Sequence, residues 1–223
     1  MNITFADIAI ELRPSGACYL PECQTLVATD LHLGKALSLR KRGYVLPPHE
    51  TKVTLNKLAA EIHSLSPQKV VLLGDSFHDH DGPQALELSD LQILQQCMLD
   101  TQCLWITGNH DDLGLKEAFS SHGIGLPGQI SDQYALKNLL MVHEPHRKDD
   151  RPQIVGHYHP KATVDLGHRK LTKPCFLWND HYLILPAFGT FTGGLDHQHP
   201  EITKWMGPNH HAALIYHQKV ALV

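Results

Sequence analysis

The sequence predicts an α/β chain built on two β-sheets within a single domain spanning residues 1–223. Three observations predict it. Short apolar runs recur at residues 25–29, 69–73 and 104–107, with helical patterns between them. Such runs fit strands buried on both faces, and their alternation with helices fits a layered α/β arrangement with right-handed crossovers. Beyond residue 130, strand-length runs follow one another through short connections rich in Gly, Pro and Asp, which predicts a second, largely antiparallel sheet. No internal repeat or low-complexity linker separates the halves.

In chain order, residues 3–12 partly alternate and Ser15-Gly16 marks a turn, so residues 1–30 read as β structure. Residues 34–43 predict a helix with Leu37 and Leu39 toward the body, Arg40, Lys41 and Arg42 outside, and Gly43 as its stop. Pro47-Pro48 precedes a longer helix whose apolar face comprises Val53, Leu55, Leu58, Ile62 and Leu65. Residues 83–99 are Leu- and Gln-rich and again predict a helix, in which Asp90 is a minor local cost. In the second half, residues 130–136, 139–142, 154–155, 162–166, 174–178, 182–185 and 212–216 predict strands.

Composition narrows the function classes. The 42% apolar content excludes global disorder, and the formal charge of -4 comes without a basic tail or long acidic block. Five cysteines form no C-x-x-C pair, which removes a zinc ribbon and argues against a disulfide framework. A reducing compartment, and the cytoplasm by default, is the expectation. No apolar stretch approaches membrane-spanning length. Histidine is over-represented, with 18 against 19 Lys plus Arg. His197, His199, His210, His211 and His217 read as ordinary surface residues.

The remaining histidines fall in a pattern. The first buried run ends in Asp30-Leu31-His32-Leu33-Gly34-Lys35, and on an extended strand end Asp30 and His32 would face the same way. Gly74-Asp75 and Gly108-Asn109-His110-Asp111 close the next two runs. A glycine there permits a sharp exit and close backbone approach, and the carboxyl edge of an α/β sheet is where sites assemble. His143 and Gly156-His157-Tyr158-His159 add three imidazoles. Each signal alone is weak. Together, Asp30, His32, Asp75, Asn109, His143, His157 and His159 supply seven ligands, too many for one ordinary site and suited to two divalent cations sharing a carboxylate.

This ordered set resembles the calcineurin-like metallophosphoesterase superfamily. The resemblance implies two mixed sheets packed face to face with helices outside, and a dinuclear centre. It assigns Asp30, His32, Asp75 and His159 to one metal, and Asp75 (bridging), Asn109, His143 and His157 to the other. His110 would act as leaving-group acid or transition-state donor, oriented by Asp111, while a hydroxide held between the cations attacks phosphorus in line. Within the superfamily the chain is most similar to the bacterial DNA-ligase-associated phosphodiesterases. The residues that carry this are Ala28 through Lys35 with the basic Arg40–Arg42 segment, Leu73-Gly74-Asp75-Ser76-Phe77-His78-Asp79, His143-Glu144-Pro145 and Leu185-Pro186-Ala187-Phe188-Gly189. The superfamily motifs cover about residues 28–160 and the closer likeness reaches about 195. That likeness implies a manganese-dependent phosphodiesterase or endonuclease in DNA repair, associated with a DNA ligase and a helicase. The ligand types themselves equally admit zinc or iron.

Other assignments stay open at this stage. Lys35, Arg40 and Arg42 read either as phosphate contacts or as a solvated basic face. His78 reads as a substrate donor or as loop packing, and His146, Asp149 and Asp150 carry a weaker version of the same ambiguity. Residues 188–194 read as a cleft wall or a plain turn. A phosphomonoesterase, a phosphodiesterase of small molecules such as cyclic nucleotides, and a metal-stabilised binding module without catalysis are the rival functions.

Overall fold

The computed structural model describes residues 1–41, 43–44, 49–78, 86–108, 119–120 and 123–223, the side chain of Lys41 aside. The N-terminal alternation resolves into β1 (Asn2–Phe5) and β2 (Ile8–Leu12), where Ile8, Ile10 and Leu12 are buried and Ala9 is exposed. β3 (Cys18–Leu20) and β4 (Thr25–Ala28) follow. Then come α1 (Lys35–Lys41), α2 (Glu50–Leu65), β5 (Lys69–Leu73), α3 (Leu88–Cys97), β6 (Gln102–Ile106) and β7 (Gln129–Ser131). These strands make one seven-stranded sheet in sequence order, antiparallel from β1 to β4 and parallel from β4 to β7.

The buried runs work as two-faced strands. Leu26, Ala28, Val70 and Leu72 pack with Leu55 and Leu58 of α2 and Leu91 and Leu94 of α3. Val27, Val71 and Leu73 point the other way, into a core shared with the second sheet. That alternation is the period of two expected of a strand, here with apolar layers on both sides.

The second sheet contains β8 (Tyr134–Leu136), β9 (Leu139–Met141), β10 (Gln153–Val155), β11 (Lys161–Asp165), β12 (Lys170–Trp178), β13 (Tyr182–Ile184), β14 (His211–Tyr216) and β15 (Lys219–Leu222). Its order is β15-β14-β12-β13-β10-β9-β8, with β11 paired to β12. Leu139, Met141, Ile154, Phe176 and Leu183 meet the first sheet. Val155, Leu177 and Ile184 face outward, under Ile202 and Met206 of α4 (Pro200–Met206). The fold is therefore two mixed sheets flanked by helices, as the resemblance implies.

Two local expectations need correction. The second sheet is largely antiparallel, as expected, except at its centre, where β9, β10 and β13 run parallel. The crossover between β9 and β10 is a loop rather than a helix, so no helical period announced it. Residues 130–136 are not one strand: β7 closes the first sheet and β8 opens the second.

Helix faces were also misassigned at Leu37 and Val53, which are 38% and 50% exposed. Ala36 and Ser38 of α1, and Thr51 and Thr54 of α2, are buried instead. The reason is hydrogen bonding. Thr51 Oγ1 accepts from Gly34 N at 2.9 Å, Glu50 Oε1 from Ala36 N at 2.8 Å and Thr54 Oγ1 from Thr190 N at 3.2 Å. The first two bonds cap the start of α1 and draw it against α2, and the third ties α2 to the loop after β13, so small and polar residues occupy these contacts. Gly43 does follow α1 as its stop, with φ +84° and its N–H donating to Arg40 O at 3.0 Å.

Candidate metal centre

The parallel strands of both sheets deliver polar residues at their C-terminal ends. Asp30 and His32 follow β4, Asp75 follows β5, His143 follows β9, and His157 and His159 follow β10. The backbone there is not extended, contrary to the simple strand-end expectation. Asp30, His32, Asp75, His157 and His159 all have positive φ, between 45° and 69°. Asp and His tolerate this region better than most residues, yet five within one site is a concentration of strain of the kind found at functional centres. Backbone bonds hold it: Asp30 N donates to Gly74 O at 3.1 Å, His32 N to Asp75 O at 3.0 Å and Gly156 N to His143 O at 3.0 Å.

These residues meet as two clusters, Asp30/His32/His159 and Asp75/His143/His157, with the ligand-type atoms of each within 4.8 Å of one another. Asp30, His32, Asp75 and His143 are buried, while His157 and His159 are half-buried. The clusters are stitched together, because Asp30 Oδ2 accepts from His157 N at 3.0 Å. Thr29 Oγ1 lies 2.8 Å from Asp30 Oδ2 and 2.7 Å from Leu73 O, fixing the carboxylate against β5.

The donor set fits divalent cations. His32 Nε2 and His159 Nε2 face each other at 3.2 Å. Two nitrogens about 2.1 Å from one tetrahedral cation sit roughly 3.4 Å apart. The buried Asp30 Oδ1 has His159 Nε2 at 3.1 Å without hydrogen-bond geometry, and the buried His143 Nε2 likewise lacks a hydrogen bond among the described residues. Buried polar atoms are seldom left so unless something else binds them. His143 Nδ1 lies 3.0 Å from Leu73 O and donates to it, which turns Nε2 toward Asp75 Oδ2 at 3.5 Å. Two acceptors face each other there unless a proton or a cation lies between. Without metal the proton wins: burial would lower His143, but Asp75 and Asp30 carry it up to about 9. Burial pushes His32 down to about 3, against the pull of Asp30. Burial would raise Asp30, but His159, with His143 and His32 behind it, holds its carboxyl below the usual range.

Sequence reasoning passed over two supporting residues. Thr29 packs on Asp30, and Glu144 Oε1 stands 3.5 Å from His157 Nδ1, where it favours the tautomer that frees Nε2. Both flank a ligand-type residue in the chain, which is the signal that could have found them.

Gly74, at φ +77°, and Gly156 make the close approaches possible. A Cβ at Gly74 would occupy the His143 ring, and one at Gly156 would strike Thr29 Oγ1 and Asp30 Oδ2. Gly156→Ala is therefore expected to weaken metal binding about 10–100-fold, the range for disturbing a ligand's outer shell. Calorimetric metal titration of the folded variant reads this directly, and wild-type affinity would contradict it.

Of the remaining predicted site residues, His78 comes to the rim, its ring 5.7 Å from that of His32 and its N–H donating to Leu33 O at 3.0 Å. Lys35 is half-buried at the start of α1 and is lowered by burial and by Lys161, against the pull of Glu50. Arg40 is exposed on α1. Asn109, His110, Asp111 and Arg42 lie outside the described residues, and so does Asp79. Asp149 is engaged by Arg151 at 2.6 Å, and His146 is tied through its backbone to Gln153, so both serve the β9–β10 loop. Among the five histidines read as surface residues, His197 and His210 pair at 3.2 Å, His211 stacks on Trp178, and His199 caps α4.

Two mixed sheets with two Asp/His clusters at their carboxyl edge define a metallophosphoesterase-like fold carrying the metal-binding features of a metal-dependent hydrolase. The structure is similar to that of a nuclease of Pseudomonas putida, named MPE, with a TM-score of 0.78 and 26% identity over 100% of this chain and 99% of that one. A protein of unknown function from Aquifex aeolicus aligns at a TM-score of 0.40 and 18% identity, over 60% of this chain and 77% of its own. No protein-family model and no curated protein matches the chain. No described helix is long and apolar enough to cross a membrane.

Proposed function

We propose that the chain is a dinuclear metal-dependent phosphodiesterase acting on nucleic acid. The observation that carries this is the pair of adjoining Asp/His clusters, linked through Asp30 and placed at the C-terminal ends of parallel strands from both sheets. The full-length likeness to a nuclease supports the choice of substrate. When bound, two divalent cations would supply Lewis acidity and a water nucleophile of lowered pKa. Asp30, His32 and His159 would hold one, and His143, His157 and Asn109 the other, with Asp75 between them. Leu73 O, Thr29 and Glu144 orient the ligands. His110, next to Asn109 in the chain and oriented by Asp111, is proposed to protonate the departing alkoxide. Lys35 and His78 are proposed to contact the substrate beside the centre, with Arg40 and Arg42 further along the chain. Manganese is the proposed metal, with zinc and iron compatible with the ligands. A DNA-repair role in the cytoplasm beside a ligase and a helicase belongs to the same reading.

Turnover of bis-p-nitrophenyl phosphate with manganese, zinc or iron, compared with p-nitrophenyl phosphate, tests the chemistry. The diester is expected to be preferred. Preference for the monoester would make it a phosphomonoesterase, and bound metal without hydrolysis of either would make it a binding module. Single- and double-stranded DNA then test nuclease action, and cyclic nucleotides test the small-molecule alternative.

A further inference from the structure

The loop after β13 and the first residue of β11 border an open cleft of about 730 Å³ beside the metal centre. The cleft is joined to that centre through the backbone. Phe188 N donates to Thr29 O at 2.8 Å and Gly189 N to Asp30 O at 3.0 Å. Lys161 comes two residues after His159, so their Cα atoms are at most about 7 Å apart.

Its lining has the wrong charge for a packing defect. Lys57, Lys161 and Lys173 face a single described carboxylate, Glu50. Glu50 is already committed to Ala36 N and Thr51 Oγ1. Lys57 is drawn inward, donating to Ser15 O at 3.1 Å and to Phe188 O, with its ammonium over the Phe188 ring. It thus fixes the floor and adds positive potential. Lys161 donates to Thr192 O at 3.2 Å, which occupies one of three ammonium donors. Lys173 lies further along the same wall.

Phe191 completes the set. It lines the cleft, is 55% exposed and has a φ of 56°. A single exposed apolar residue needs no explanation. An exposed phenyl held in a left-handed backbone, on a wall shared with three lysines, does, because folding gains nothing from it. Cations alongside an exposed aromatic face are what single-stranded nucleic acid requires: phosphates track the charge and a base stacks on the ring.

We propose that this cleft is an exosite for a single-stranded polynucleotide, with Phe191 stacking on a base and Lys161 and Lys173 taking backbone phosphates next to the scissile bond. The inference rests on the phosphodiesterase reading above. A duplex keeps its bases stacked on one another and offers Phe191 no face.

The test is fluorescence anisotropy of the metal-loaded protein with a phosphorothioate oligothymidylate of about 12 nucleotides, a length such grooves span. Phe191→Ala is expected to weaken binding about tenfold, the size of one lost base–aromatic stack, and Phe191→Trp to retain it. Lys161→Ala/Lys173→Ala is expected to reduce the salt slope by about 1.4, at roughly 0.7 per phosphate contact on a single strand. In parallel, kcat/KM on an oligonucleotide should fall relative to that on bis-p-nitrophenyl phosphate. Wild-type affinity and salt slope in these variants would overturn the exosite while leaving the hydrolase reading intact. Equal binding of a duplex, insensitive to Phe191→Ala, would also overturn it. Absence of diester hydrolysis would sink the functional reading instead, and the anisotropy series would still decide the cleft.

Discussion

Asp75→Ala is expected to lose both metal ions and about 10³-fold or more in diester turnover. The size follows from Lewis-acid stabilisation of several kcal/mol, at about 1.4 kcal/mol per decade of rate. Asp30→Ala is expected to deplete one ion first. The asymmetry comes from position. Asp75 Oδ2 faces His143, and the Asp75 backbone carbonyl accepts from His32 N, so this residue touches both clusters. It is also buried at the end of a central strand. Asp75→Asn keeps the shape and separates charge from packing. Elemental analysis of the purified variants, beside their turnover, measures both parts. Two ions per chain and near-wild-type turnover in Asp75→Ala would refute the shared carboxylate, and an equal loss of both ions in Asp30→Ala would refute the division of ligands.

The gathering of six ligand-type residues was legible because they stand out by residue type at strand ends. Asp30, His32, Asp75, His143, His157 and His159 each follow a buried run, and a buried run is what sequence reveals best. The partition into two clusters was not derivable from spacing. His157 and His159 have the same parity, yet they join different clusters because both adopt positive φ and the chain turns at each. The helix faces failed for a related reason. Thr51, Thr54 and Glu50 look like surface residues until the loops they bind are in place, and those partners lie far away in the chain, as Thr190 does for Thr54. The parallel β9–β10–β13 core escaped because its crossovers carry no helix. α4, held by Ile202 and Met206, was too short for its period to stand out.

Metal removal is expected to abolish diester turnover and to expose a pH dependence of stability that the loaded protein lacks. Metal at a hundred times its dissociation constant stabilises the fold by about 2.7 kcal/mol, a gain that a chelator removes. In the stripped protein, His32 is depressed from 6.5 to about 3, so the unfolded chain binds the extra proton between those values. Its contribution is present above pH 6.5 and is lost as pH falls toward 3. His157, also lowered by burial, adds to that loss, whereas the raised Glu50 carboxyl opposes it. His143 runs the other way. Its folded value of about 9 lies above 6.5, so its contribution is full below pH 6.5 and is lost as pH rises through 9. Lys57, lowered to about 8 by burial, begins to oppose that decline above pH 8. Chelator-treated protein should therefore resist urea most near pH 6.5, with weaker resistance at both pH 5 and pH 8. Metal ligation replaces the His143 proton and ties His32 in its neutral form, so the loaded protein should lose the decline between pH 6.5 and 8. Urea midpoints across this range, with and without chelator, give the comparison, and an apo profile that keeps rising from pH 6.5 to 8 would contradict the protonated His143–Asp75 pair.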